Sequence, residues 1–88
     1  MARQGLTFRG TIHNSSWSGS WYANKNVKKN GETIKIHSEI HLSASGGSKV
    51  YDWEVITEGW KTAGKGREAT LPDAKYAAVE ALNNWYSS

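Results

Sequence analysis

Residues 60–85, WKTAGKGREATLPDAKYAAVEALNNW, constrain the fold of this chain more than any other stretch. Leu71, Ala74, Ala78, Ala81, Leu82 and Trp85 recur at three- and four-residue spacing, which places them on one face of an α-helix. Thr70 and Asp73 fit a capping box at its start, and Pro72 falls in the first turn, where a missing N–H is harmless. No upstream segment repeats this period. The spacing therefore predicts one long helix over residues 71–86. Its alanine-rich face needs an apolar surface to cover, and small side chains allow close approach.

Upstream the period changes to two, the signature of strands with one buried face. Leu6, Phe8, Gly10 and Ile12 alternate with Thr7, Arg9, Thr11 and His13, predicting a strand over 5–13. Residues 14–20 are small and polar apart from Trp17 and read as a turn or irregular loop. A second strand over 20–29 runs into Asn30-Gly31, the strongest short hairpin signal because both residues tolerate positive φ. A third strand over 32–44 is followed by Ser45-Gly46-Gly47-Ser48 and a fourth over 49–58.

Two-residue turns at these sites place Val27 opposite Ile34, Trp21 opposite Ile40, Leu42 opposite Tyr51, Ile40 opposite Trp53 and Ser38 opposite Val55. Both turns thus converge on one core face. Lys25 opposite Ile36 breaks the pattern, so a bulge or a sheet edge is expected there. The outer face pairs His41 with Asp52 and Glu39 with Glu54. The expected architecture is a single α+β domain over 1–88, an antiparallel four-stranded meander sheet covered on one face by a single C-terminal α-helix.

An 88-residue chain without cysteine must be held by packing, and five Trp, four Tyr and one Phe supply the area. No apolar run approaches the ~20 residues of a membrane span, so no membrane partner is expected. The opening MARQGLTFRG lacks the apolar region of a secretion signal, and the expected location is cytoplasmic. Asn14-Ser15-Ser16 matches a glycosylation acceptor, which this location would leave unused.

The net charge of +3 is unevenly spread. Residues 1–35 carry Arg3, Arg9, Lys25, Lys28, Lys29 and Lys35 against Glu32 alone. Residues 36–59 carry Glu39, Asp52, Glu54 and Glu58 against Lys49, and then Lys61, Lys65 and Arg67 precede the helix. Two basic regions around an acidic strand suit nucleic acid or an acidic protein surface, although charge alone favours ordinary solubilising charge.

Catalytic and metal chemistry find little support in these residues. His37 and His41 share a strand face but sit about 13 Å apart along it, too far to bind one metal ion. His41 with Asp52 and Ser43 lacks an oxyanion hole or nucleophile elbow, and Glu39 with Glu54 lacks the burial that tunes an acid–base pair. The expectation is a non-enzymatic protein with no cofactor and no metal.

Binding chemistry has more candidates. Gly64-Lys65-Gly66-Arg67 reads as a basic glycine loop before a helix, suited to an anion through backbone amides and through Lys61, Lys65 and Arg67. It matches neither a P-loop nor a dinucleotide fingerprint. Trp60 beside it stands either exposed for stacking or at the rim of the core. Lys75 on the helix, Lys28, Lys29 and Lys35 in the hairpin over 25–35, and Arg9 and Tyr22 on the outer face complete the candidate binding set.

From Tyr51 to Leu82 the chain resembles the second half of the double-stranded-RNA-binding domain. Two strands, a glycine-containing basic turn and a closing helix there read roughly G-x-G-x-S-K-K-x-A-K-x-x-A-A-x-x-A-L. Gly64 and Gly66 match the glycines, Thr70 the serine, and Ala74-Lys75, Ala77-Ala78 and Ala81-Leu82 the helix. Leu71 and Pro72 stand at the paired lysines, leaving Lys75, and residues 1–35 read as strands where that family opens with a helix. The order of sheet then helix is also similar to plant ethylene-response and integrase arm-type DNA-binding domains.

Two functional expectations follow. The leading one is a small basic nucleic-acid-binding module using the glycine loop and the lysine-rich hairpin. The other is a small inhibitor of the kind phages and mobile elements direct against host nucleoprotein defences such as CRISPR complexes, acting by protein–protein contact. A structural subunit pairing copies through the exposed first strand is a third possibility.

Overall fold

A computed structural model describes residues 3–13 and 18–88, so the Asn14-Ser15-Ser16 motif and Trp17 lie outside the described residues. The chain forms β1 (Arg9–His13), β2 (Ser18–Lys29), β3 (Glu32–Ser45), β4 (Ser48–Thr57), β5 (Lys61–Glu68) and α1 (Leu71–Tyr86). The strands make one antiparallel sheet in sequence order, β1-β2-β3-β4-β5. Meander and C-terminal helix agree with the sequence reading; the strand number does not. The expected four strands are five, because residues 61–68 are a strand and not a loop.

Turn chemistry fixes the register as anticipated. Asn30 and Gly31 have φ of 54° and 81°, and Gly46 and Gly47 have 59° and 82°. Each pair occupies the left-handed region that a tight hairpin with right-twisted strands requires. The resulting partners include Val27 with Ile34, Trp21 with Ile40, Ile40 with Trp53 and Ser38 with Val55. Lys25 stands opposite Ile36 in an unbroken ladder, so there is no bulge. The sheet edge is there instead, because β1 pairs β2 only as far as Tyr22. The Lys25 ammonium uses that open side to donate to the Gly5 carbonyl at 3.0 Å.

The first strand is shorter than alternation implied. Residues 3–8 leave the sheet and strap the helix. Gln4 and Asn83 exchange two hydrogen bonds of 2.8 Å, Arg3 pairs with Glu80, and Leu6 and Phe8 pack on the core. Apolar residues two apart thus serve a strap as well as a strand.

The core lies between the sheet and α1. Trp21, Ala23, Val27, Ile36, Ile40, Leu42 and Val55 meet Ala74, Ala78 and Leu82, which are buried completely. Thr70 caps the helix by accepting from the Asp73 N–H at 3.2 Å. Ser38, buried on the same face, donates to the Glu54 carbonyl at 2.8 Å, which removes the cost of an unpaired hydroxyl. At the other helix end the Lys29 ammonium donates to the carbonyls of Trp85 and Tyr86, at 3.2 and 2.9 Å, and to that of Ser88. A cation there satisfies orphan carbonyls and opposes the negative end of the helix dipole.

Strand β5 explains the glycines. A Cβ on Gly64 would lie 2.6 Å from the Ala81 Cβ, and one on Gly66 would lie 2.9–3.0 Å from the Trp53 indole. Both positions face the core, and only a bare backbone leaves room for Trp53 between β5 and α1. The register shifts between Val55 and Ile56, which pair with Gly64 and Thr62 and leave Ala63 as the extra residue. Ala63 packs into the core beside this bulge. The glycines that read as a turn are thus packing requirements of an edge strand.

Two stability outcomes are expected in urea titrations. Gly64→Val overpacks the contact with Ala81 and costs about 1–3 kcal/mol, whereas Lys65→Ala next to it stays within about 0.5 kcal/mol. Lys29→Ala removes the helix-end contacts and costs about 1 kcal/mol.

Candidate functional site

Among the described residues α1 covers one face of the sheet, and the other is open. Alternation determines which side chains reach it, and register orders them into rows. Arg9, Tyr22, Glu39, Glu54 and Lys65 form one row across all five strands. Ser20, His41, Asp52 and Arg67 form the row below it, and Asn24, His37, Ile56 and Thr62 the row above. Beyond these, Asn26 pairs with Lys35 and Lys28 with Thr33. Strand order brings the β2–β3 and β4–β5 turns to the same end of the sheet.

A hydrogen-bonded cluster occupies the middle of this face. Glu39 accepts from the two imidazoles that flank it on β3, with His41 Nε2 at 2.8 Å and His37 Nε2 at 3.0 Å. His37 Nδ1 bonds Asn24 at 2.8 Å, and His41 Nδ1 lies 3.2 Å from Ser20 Oγ. The Tyr22 ring stacks on His37, with centroids 6.2 Å apart and planes 27° apart, and meets His41 edge-on at 6.1 Å. His41 thus bonds Glu39 and Ser20, and Asp52, its expected partner, accepts from Arg67 Nε at 2.8 Å. The cross-strand register was right; the partners of Glu39 are along its own strand, while Ser20, Asn24 and Arg67 bond across strands. His37, Glu39 and His41 recur at every second residue, so their proximity was available in the alternation itself.

Burial pushes the Glu39 carboxyl up, but the hydrogen bonds from His41 and His37 and their charge outweigh it and hold it below the usual value. The hydrogen bond and charge of Asp52 raise the Arg67 guanidinium. The Arg67 guanidinium offsets the charge of Asp52 alone. The Ser20–His41–Glu39 connection has the members of a hydrolytic relay, yet the β2 backbone at Ser20 is laddered on both sides, to Thr11 and to His41. No amides there are left to hold an oxyanion. Among the described residues no group of His, Asp and Glu is arranged to hold a metal ion.

The basic candidates separate. Lys65 and Arg67 reach the open face from edge strand β5, where lysines also discourage strand pairing between molecules. Lys61 stands on the helix side, in a groove with Glu32, Ile34 and Trp85. Lys29 is engaged at the helix end, and Lys75 belongs to the helical layer. Lys28, Lys35, Arg9 and Tyr22 share the open face.

Trp60 stands in the β4–β5 turn, which was missed because Lys61 to Arg67 read as a basic turn with Trp60 beside it. Gly59 and Trp60 adopt φ of 86° and 63°, and the indole is 87 % exposed. It borders a shallow groove with Asn24, Lys35, His37 and Ile56, a mostly apolar notch on the open face. No helix among the described residues is long and apolar enough to cross a membrane.

A pH dependence follows from Glu39. Its folded-state pKa lies below the ordinary 4.5, so the stability it contributes is present above that pH and is lost as pH falls through the lower, folded-state value. Urea midpoints should fall in that acidic range, and Glu39→Gln should flatten that part of the profile; an unchanged profile would rule the linkage out. Comparison of the chain with protein-family models, with curated proteins and with solved structures finds no match.

Proposed function

We propose that this protein is a non-enzymatic nucleic-acid-binding module acting through the open sheet face and the end of the sheet where the two hairpin turns meet. The observation that carries this reading is Trp60, 87 % exposed at the same end as Lys28 and Lys35, beside a sheet face that no other element among the described residues covers. An indole held in water is unfavourable for the free protein, and aromatic surface interleaved with cations is what bases and phosphates require. Lys65 and Arg9 add charge at the two lateral edges of the face. The glycines of β5 take no part in this, since their backbone is in a ladder and their missing side chains accommodate Trp53.

A second reading is favoured by the carboxylates. Glu39, Asp52 and Glu54 lie in the middle of the open face, where a polyanion gains nothing and a protein partner with complementary charge does. In that case Trp60 and Tyr22 act as anchors of a protein interface, as in an inhibitor of a host nucleoprotein defence complex, anti-CRISPR-like in mode.

Fluorescence anisotropy with labelled oligonucleotides across a salt series separates the two. A nucleic-acid binder with about three or four phosphate contacts gives a log–log salt slope of roughly −2 to −4. The Lys28→Ala/Lys35→Ala double variant should reduce that slope by about 1–2 and weaken binding roughly tenfold, with Lys29→Ala as an unaffected control. No binding at low salt would sink the nucleic-acid reading and leave the protein-contact one.

A further inference from the structure

The open face is divided, and the division selects a ligand. Tyr22 on β2, His37 on β3 and Trp60 in the β4–β5 turn run obliquely across it, with Ile56 between the last two. Toward the shared turn end lie Asn26, Lys28 and Lys35, with Glu58 beside Trp60. Toward the opposite end lie Glu39, Asp52 and Glu54, bonded by His41, Arg67 and Thr62 respectively, with Lys65 across from Glu54 in the register. One side of the aromatic line is mainly cationic and amide, and the other holds the carboxylates.

We infer that the ligand of this face is single-stranded nucleic acid, with its bases stacked along Tyr22, His37 and Trp60 and its phosphates on the side of Lys28 and Lys35. This rests on the nucleic-acid reading above and narrows it. Two features decide against a duplex. Aromatic rings presented on an open surface stack on unpaired bases, whereas the base faces of a duplex are already covered by their neighbours. A duplex also carries two lines of phosphates flanking a groove about 12 Å wide, so with one line at Lys28 and Lys35 the other falls over the carboxylates. A single strand has one line of phosphates and leaves that half of the face empty.

The platform is set before the ligand arrives. His37 is held by Asn24 on one ring nitrogen and Glu39 on the other, and Tyr22 lies between the two imidazoles. The turn sets the Trp60 backbone, which is left-handed at both Gly59 and Trp60. Tyr22 and His37, already in place, lose little freedom on binding.

The test uses the full chain with oligo(dT), oligo(U) and a duplex of equal length, read by anisotropy and by indole fluorescence. Single strands of either sugar should bind at least about tenfold more tightly than the duplex. Trp60→Ala and Tyr22→Ala should each weaken single-strand binding about 5- to 100-fold, while His37→Phe, which keeps a ring, retains most of it. Trp60 is so exposed that its replacement leaves the urea midpoint in place, and that measurement accompanies the affinities. Duplex binding as tight as single-strand binding, or an unchanged affinity for Trp60→Ala, overturns the inference while leaving a nucleic-acid binder. Failure of all three oligonucleotides to bind overturns both readings and points to a protein partner.

Discussion

The contact between Trp53 and the bare backbone of β5 governs how this molecule closes. The indole lies over Gly66 and Gly64, with Ala81 of the helix directly beyond, and its N–H reaches the Glu68 carboxylate at 3.4 Å. A side chain of that size fits between a sheet and a helix only where both neighbours are cut back. The strand does this with glycine and the helix with alanine. The buried Ala74, Ala78 and Leu82 can then approach the sheet closely enough to cover Ile36, Ile40 and Val55. Packing at crystal-like density is what holds a small chain without cysteine, so a methyl group added at this seam acts on the whole core.

Much of this arrangement was legible in the sequence wherever local chemistry and long-range pattern agreed. Asn30-Gly31 and Gly46-Gly47 permit few backbones, and the alternation on either side permits one register, so β2, β3 and β4 and their partners could be read directly. The helix was equally plain, from its cap to its alanine face. Strand β5 was not. Lys61 to Glu68 contains two glycines and a single strand-forming residue, Thr62, and local propensity there points to a turn. What makes it a strand is tertiary: the free edge of β4 and the volume of Trp53. The short β1 fails for the opposite reason, since Leu6 and Phe8 alternate convincingly but use that spacing to strap the helix.

At the candidate site the sequence identified the face and missed its grammar. Tyr22, Lys28, Lys35, Lys65, Arg67 and Arg9 do share the open side, while Lys29 and Lys61 turn toward the helix layer. Charge counting cannot separate these groups, because a lysine at a hairpin end can reach either layer. The cluster around Glu39 has a similar lesson. Cross-strand opposition suggested His41 with Asp52 and left two glutamates facing each other, whereas side chains two apart on β3 are near enough to bond one another. Glu39 is thereby shared by two imidazoles, and Asp52 is released to Arg67.

The order of elements has a consequence for how the chain is made. Each strand pairs with the one synthesised just before it, so the sheet can assemble progressively as it leaves the ribosome. Its lid comes last. Until α1 has emerged, Trp21, Ile36, Ile40, Trp53 and Val55 form a bare greasy wall on one side of a sheet whose other side is already complete. Nascent chains stopped anywhere between Thr57 and Leu82 are therefore the sticky species of this protein, and the alanine helix is the stopper that keeps the sheet safe from its own siblings.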